Sequence, residues 1–141
     1  MTTTQTGLSA AELTVKLAGA LKATLFASNL RINPRRLQTI AADTAGSYLA
    51  FAAGEQEPDA VTSYGRGLAT DGLGHATLLA LVDRLLRAAW EAEPTEGAPS
   101  KALSYTTALL AGYMAAREEA LLQEQERTRA ALERVRAQQH G

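Results

Sequence analysis

After Gly112 the chain contains no glycine or proline until Gly141. From Arg117 onward, REEALLQEQERTRAALERVRAQQHG is almost entirely charged residues, Gln and Ala, with few large apolar side chains. Ala, Leu, Arg, Glu and Gln have the highest helix propensities, so this run predicts one unbroken helix. With Ser100 as its cap, after a loop running from Pro94 to Pro99, that helix has about 40 residues and spans roughly 60 Å. A compact body of about 100 residues has a radius of gyration near 13 Å. The helix therefore outruns any body the rest of the chain can build, and beyond Arg117 it must leave that body.

The body itself is expected to be all-α. The hydrophobic share is 46% but aromatics are only 5%, so its core rests on Leu, Val, Ile and Ala. No period-2 alternation or hairpin turn argues for strands. Fourteen basic residues balance fifteen acidic ones, a net charge of −1, which argues against a nucleic-acid or anionic-membrane surface. The absence of cysteine excludes disulfides, thiolate metal sites and cysteine nucleophiles. The opening MTTTQTG has neither a basic nor an apolar segment of a signal peptide. No apolar run approaches the roughly 20 residues needed to cross a bilayer. A cytoplasmic location with no membrane contact is expected.

Five helices can be placed. Residues 1–8 read as a disordered tail. Ser9-Ala-Ala-Glu12 is a capping box, with the Glu12 side chain expected to reach back to the Ser9 amide and Leu8 and Leu13 at the staple positions. The row Leu13, Leu17, Leu21, Leu25 marks a first helix ending near Ser28-Asn29. Asn33 and Pro34 open a second as N-cap and first helical residue. Its apolar row is Leu37, Ile40, Ala41, Thr44, Tyr48 and Phe51 or Ala52, with Gly54 closing it. Pro58 opens a third, with Val61, Tyr64 and Leu68 inward and Gly72 at its end. A fourth begins near Gly74 with the broad stripe Leu78, Leu79, Val82, Leu85, Leu86 and Ala89. On the last helix, Leu103, Leu109, Leu110 and Met114 are expected to pack on the others. This assigns 9–116 to a body and 117–141 to an exit helix.

Single helices of this length are marginal in water unless something packs on them. Met114, Leu121, Thr128 and Val135 recur every seven residues. The other half of the heptad, Arg117, Glu124, Ala131 and Gln138, is mostly polar, and shifting the register brings in Leu132 at the cost of Glu118 and Gln125. The seam has one good column rather than two. Pairs such as Arg129 with Glu133 add only about 0.2–0.5 kcal/mol each. Three readings stay open: a solvated single helix, a weak parallel dimeric linker that passes a shift in the body onward, and an antiparallel or other intermolecular pairing.

A helical body followed by REE and a Gln/Glu/Arg-rich helix of the pattern L-x-x-x-Q-x-R-x-x-x-L/A resembles the N-terminal domains of RsbR-type anti-sigma-factor antagonist regulators. The segment Tyr64-Gly-Arg-Gly67-Leu-Ala-Thr-Asp-Gly72-Leu-Gly-His-Ala-Thr-Leu78-Leu is similar to the family's short helix, glycine and long helix. The resemblance runs from about Leu13 to Gln139. It implies a globin-like fold without haem, a homodimer, and a sensory role in stress signalling, with other signalling proteins engaged through a C-terminal STAS domain. These 141 residues contain no STAS sequence. The same kind of helix also precedes kinase and cyclase domains, and a free-standing adaptor that binds another protein through this helix is the rival reading.

No catalytic or metal-binding constellation stands out, and no cofactor is expected. His75 falls in the first turn of the fourth helix and His140 in the tail, neither placed for haem. Gly65-x-Gly67 and Gly72-x-Gly74 lack the strand and the Lys-Ser/Thr of a phosphate loop. Close helix approach at Gly65 and Gly67, and chain reversal at Gly72 and Gly74, account for them better. Arg31, Arg35 and Arg36 form a small basic cluster at a helix end. Glu118 and Glu119 are adjacent, point apart, and have no His at ligand spacing. Tyr48, Tyr64, Tyr105 and Tyr113 are candidates for lining a pocket for a small molecule of unknown identity, although tyrosines at helical spacing are more often core. The candidate association residues are Met114, Leu121, Thr128, Leu132 and Val135.

Overall fold

The computed structural model describes residues 9–24, 34–92 and 97–140. They form five helices: α1 (Ala10–Ala23), α2 (Pro34–Ala52), α3 (Pro58–Thr70), α4 (His75–Ala92) and α5 (Gly97–His140). No strand occurs among the described residues. The expected tail at 1–8, the Asn33 cap and Arg31 lie outside them, and α1 ends at Ala23 with Thr24 as its C-cap, short of the expected end near Ser28-Asn29.

Local chemistry sets most of the boundaries. At α1 the Glu12 amide donates to Ser9 Oγ at 3.1 Å. The Ser9 hydroxyl in turn donates to the Glu12 carboxylate at 3.0 Å, so Glu12 bonds to the side chain rather than reaching the backbone amide. Gly54 has φ 80° and Gly72 has φ 92°, a region that costs other residues a steric penalty. Each ends its helix in a Schellman motif. Gly54 N–H donates to Phe51 O and Glu55 N–H to Ala50 O; Gly72 N–H donates to Ala69 O and Leu73 N–H to Leu68 O. Leu68 and Leu73 are both buried, which supplies the apolar contact that accompanies such caps. Gly74 stands just ahead of α4, where that helix is expected to begin, and accepts from the Leu78 amide at 3.0 Å. The last helix begins at Gly97, ahead of the expected cap at Ser100. Pro99 is tolerated there because first-turn amides have no intrahelical acceptor.

α5 packs on α3, α4 and α2, while α1 closes the other side against α2 and α4. The α3–α5 crossing is the tightest contact. A Cβ at Gly65 would overlap the carbonyl oxygen of Leu109, and one at Gly112 would overlap the carbonyl oxygen of Thr62. Gly112 is the partner in this close approach that the sequence reading missed. Gly67, expected to share the role, faces open space. The crossing presses the Ala102, Tyr105, Thr106, Leu109 and Tyr113 row of α5 into the core. Arg66 of α3 and Glu119 of α5 add an ion pair at 2.8 Å where α5 departs.

Burial along α5 ends at Tyr113, and from Arg117 to Gln139 every side chain except that of Ala130 is exposed. Forty-four residues correspond to roughly 66 Å of helix. Arg129 pairs with Glu126 at 2.9 Å, not with Glu133. This i,i+3 partner lies on the N-terminal side of Arg129, within the same turn.

Candidate functional site

Three residues expected in the core are on the surface. Leu79, Leu103 and Met114 are each more than half exposed. With Leu121, Leu132 and Val135, the α5 members form a set whose exposures run from 48% to 65%. At about 100° per residue, Leu103, Leu110, Met114, Leu121, Thr128, Leu132 and Val135 fall within an arc of about 60°. They make one apolar stripe that starts on the body and continues along the exit helix without changing face. The stripe holds all five candidate association residues and adds Leu103 and Leu110. Leu103 and Leu110, expected to pack on the other helices, extend the column from Met114 back onto the body.

Where α5 leaves the body the stripe widens into a groove. Its volume is about 450 Å³, and Leu78, Leu79, Leu110, Tyr113, Met114 and Leu121 form its walls, with His75, Arg117 and Glu118 at the rim. The start of α4 thus lies beside the middle of α5. The Arg117 guanidinium sits 5.9 Å from the Tyr113 ring centroid, within cation–π range. Tyr113 donates its hydroxyl proton to Leu73 O, which ties the groove floor to the α3–α4 turn. Burial raises the Tyr113 pKa, and Arg117 opposes the shift.

The four candidate pocket tyrosines do not converge on this groove; Tyr113 alone lines it. Tyr48, Tyr64 and Tyr105 meet instead between α2, α3 and α5. Tyr105 stacks edge-on with Tyr48 at 5.4 Å and with Phe51 at 5.7 Å. Tyr64 and Thr44 hydroxyls share a hydrogen bond at 2.7 Å. The Tyr105 hydroxyl is buried with no hydrogen-bond partner. Ser47 is near enough to oppose the rise of its pKa, and the Ser47 hydroxyl proton itself goes to Gln56 Oε1 at 2.9 Å. A buried, unpaired hydroxyl costs about 1–3 kcal/mol. Tyr105→Phe keeps both ring contacts and is expected to stabilise the protein by about 1 kcal/mol. Tyr64→Phe strands the buried Thr44 hydroxyl and is expected to destabilise it by about as much. Urea unfolding of the two variants checks the opposite signs.

The same cluster sets an alkaline limit. Burial pushes Tyr64 up to about 12, against the opposing bond from Thr44, and burial also pushes Tyr105 up. Unfolded tyrosine titrates near 10. Below that pH both states hold the proton and the full stability is present. Above it the unfolded chain loses protons that the folded one retains, so stability falls as pH rises from about 10 through 12. Circular dichroism should show helix loss beginning in that window, with tyrosinate absorbance appearing together with unfolding.

Arg36 pairs with Asp71 across α2 and α3. Gly65 and Gly67 lie inside α3, not in a loop after a strand. His75 is exposed at the first residue of α4. No group of three or more His, Asp or Glu placed to hold a metal ion occurs among the described residues, and no helix among them is long and apolar enough to cross a membrane. No protein-family model matches the chain, and neither curated proteins nor solved structures include a significant match.

Proposed function

We propose that this chain is a non-enzymatic sensory or regulatory domain of a bacterial signalling protein, RsbR-like in kind. In this reading it forms a homodimer through the α5 stripe and relays a change in its body along α5 to an output domain such as STAS. The observation that carries the reading is the continuity of the stripe, from Leu103 on the body to Val135 on the exit helix, exposed throughout except at the half-buried Leu110. Most helical stability in proteins comes from packing of an apolar face, and a second helix on the stripe supplies packing that the exposed part of α5 lacks. The stripe is thin, so pairing is weak, and weak pairing shifts readily when the body changes. The groove couples the two parts, because Leu78 and Leu79 of α4 share it with Met114 and Leu121 of α5.

Sedimentation-velocity analysis of the whole chain tests the reading. A dimer that dissociates on dilution is expected. A monomer at high concentration would remove it and leave the adaptor alternative, in which a different protein covers the stripe.

A further inference from the structure

The stripe on α5 has a neighbour on α4. Leu79, Leu86 and Trp90 fall within an arc of about 40° on that helix. Leu79 and Trp90 are 53% and 59% exposed, and Leu86 is half-buried. α4 packs directly on α5, and Leu79 lines the same groove as Met114 and Leu121. Ala92 ends α4 and Gly97, five positions later, begins α5, so these two residues lie within about 18 Å of each other. The α4 row is therefore held beside the stripe at both ends, and the two make one apolar face. The charges that flank the row cancel: Arg87 pairs with Asp83 at 2.9 Å and Arg84 with Glu91 at 3.6 Å.

We infer that this two-helix face, with Trp90 in it, packs against the same face of a second copy, so that α4 and α5 of both chains enclose a shared apolar core. This deepens the self-association proposed above and rests on it. Area, shape and charge together select a second copy. A stable dimer covers about 800 Å² per partner, about 57% of it apolar. Leu79, Trp90, Leu103, Met114 and Leu121 are all more than half exposed and supply several hundred Å² of apolar surface. The face thus approaches that requirement on the body, before the exit helix beyond Leu121 is counted. Two helices lying side by side present ridges and a groove, and an identical pair fits them in the manner of a four-helix bundle. Such a contact is isologous and closes on itself, needing no other surface of either copy. With its flanking charges paired, and a net charge of −1 on the chain, the face has no excess charge to select an oppositely charged protein or to repel a copy of itself. The groove at the root of the exit helix lies within this face, so a shift of α4 alters the pairing itself rather than only its own α5.

Trp90 is the only tryptophan in the chain, so its fluorescence reports directly on this face. Sedimentation velocity gives the concentration range over which the whole chain dissociates. Across that range, dilution is expected to shift the Trp90 emission to longer wavelength and to increase its quenching by acrylamide. Trp90→Gln is expected to weaken the dimer by roughly tenfold or more. It should leave the urea unfolding of the monomer unchanged, because the residue is exposed in the single chain. A dimer whose Trp90 emission and quenching match those of the monomer, or whose dissociation Trp90→Gln does not alter, would place α4 outside the interface. Either result would overturn the inference while leaving the dimer of the proposed function intact. A monomer at every concentration would overturn both.

Discussion

Replacing Gly112 by Ala is expected to cost about 3 kcal/mol or more of folding stability, a large part of what a domain of this size possesses. The added methyl would meet the Thr62 carbonyl, and at Gly65 it would meet that of Leu109. Both obstacles are backbone, so no side chain can rotate away, and relief requires α3 and α5 to separate. Separation would open the core around Tyr105, Leu109 and Val61, all fully buried. Gly67→Ala provides the control. It lies in α3 two residues from Gly65, faces open space, and is expected to stabilise the helix by about 1 kcal/mol. Thermal and urea unfolding of Gly112→Ala, Gly65→Ala and Gly67→Ala should therefore give two large losses and one gain. Similar small effects at all three positions would mean that the two helices do not cross at backbone contact.

Replacing Met114 and Leu121 together by Gln is expected to weaken self-association about a hundredfold. Gln has nearly the helix propensity of Leu and Met, so the variant removes apolar surface without penalising the helix itself. Both residues are exposed in the single chain, and the body's stability should be unchanged within about 0.5 kcal/mol. In a dimer each copy loses its apolar anchors, and about 3 kcal/mol of burial in all corresponds to that hundredfold. A second signal follows because packing of an apolar face supplies most of a helix's stability in proteins. The variant should lose helical content on dilution at concentrations where the parent protein keeps it. Dimerisation unaffected by the double substitution would place the interface away from the stripe.

The helices and their ends were legible because each rests on local chemistry. Ser9 with Glu12, Pro34, Pro58, Gly54 and Gly72 act through their own backbone and their nearest neighbours. The departure of α5 was legible too, since a breaker-free polar run longer than the body leaves no other path. The assignment of faces was not. α5 carries two apolar rows, one through Ala102, Tyr105, Leu109 and Tyr113 and another through Leu103, Leu110, Met114 and Leu121, and periodicity supports either as the buried one. Periodicity alone therefore sends Leu103 and Met114 inward with Leu109, whereas both are exposed. Leu79 on α4 was misplaced for the same reason, because a stripe wider than its partner helix leaves one edge outside.

The residues alone settled that this protein is helical, where most of its helices start and stop, and that the last one projects; the end of α1 and the start of α5 are the exceptions. Packing decided which side of that helix is hidden and which is offered. The physical reason is the glycine pair. Only Gly65 and Gly112 permit α3 and α5 to touch backbone to backbone, and that contact depends on two positions 47 residues apart in the chain, a relation no local pattern contains. Once it forms, the rotation of α5 follows, and with it the exposure of the stripe from Leu103 to Val135.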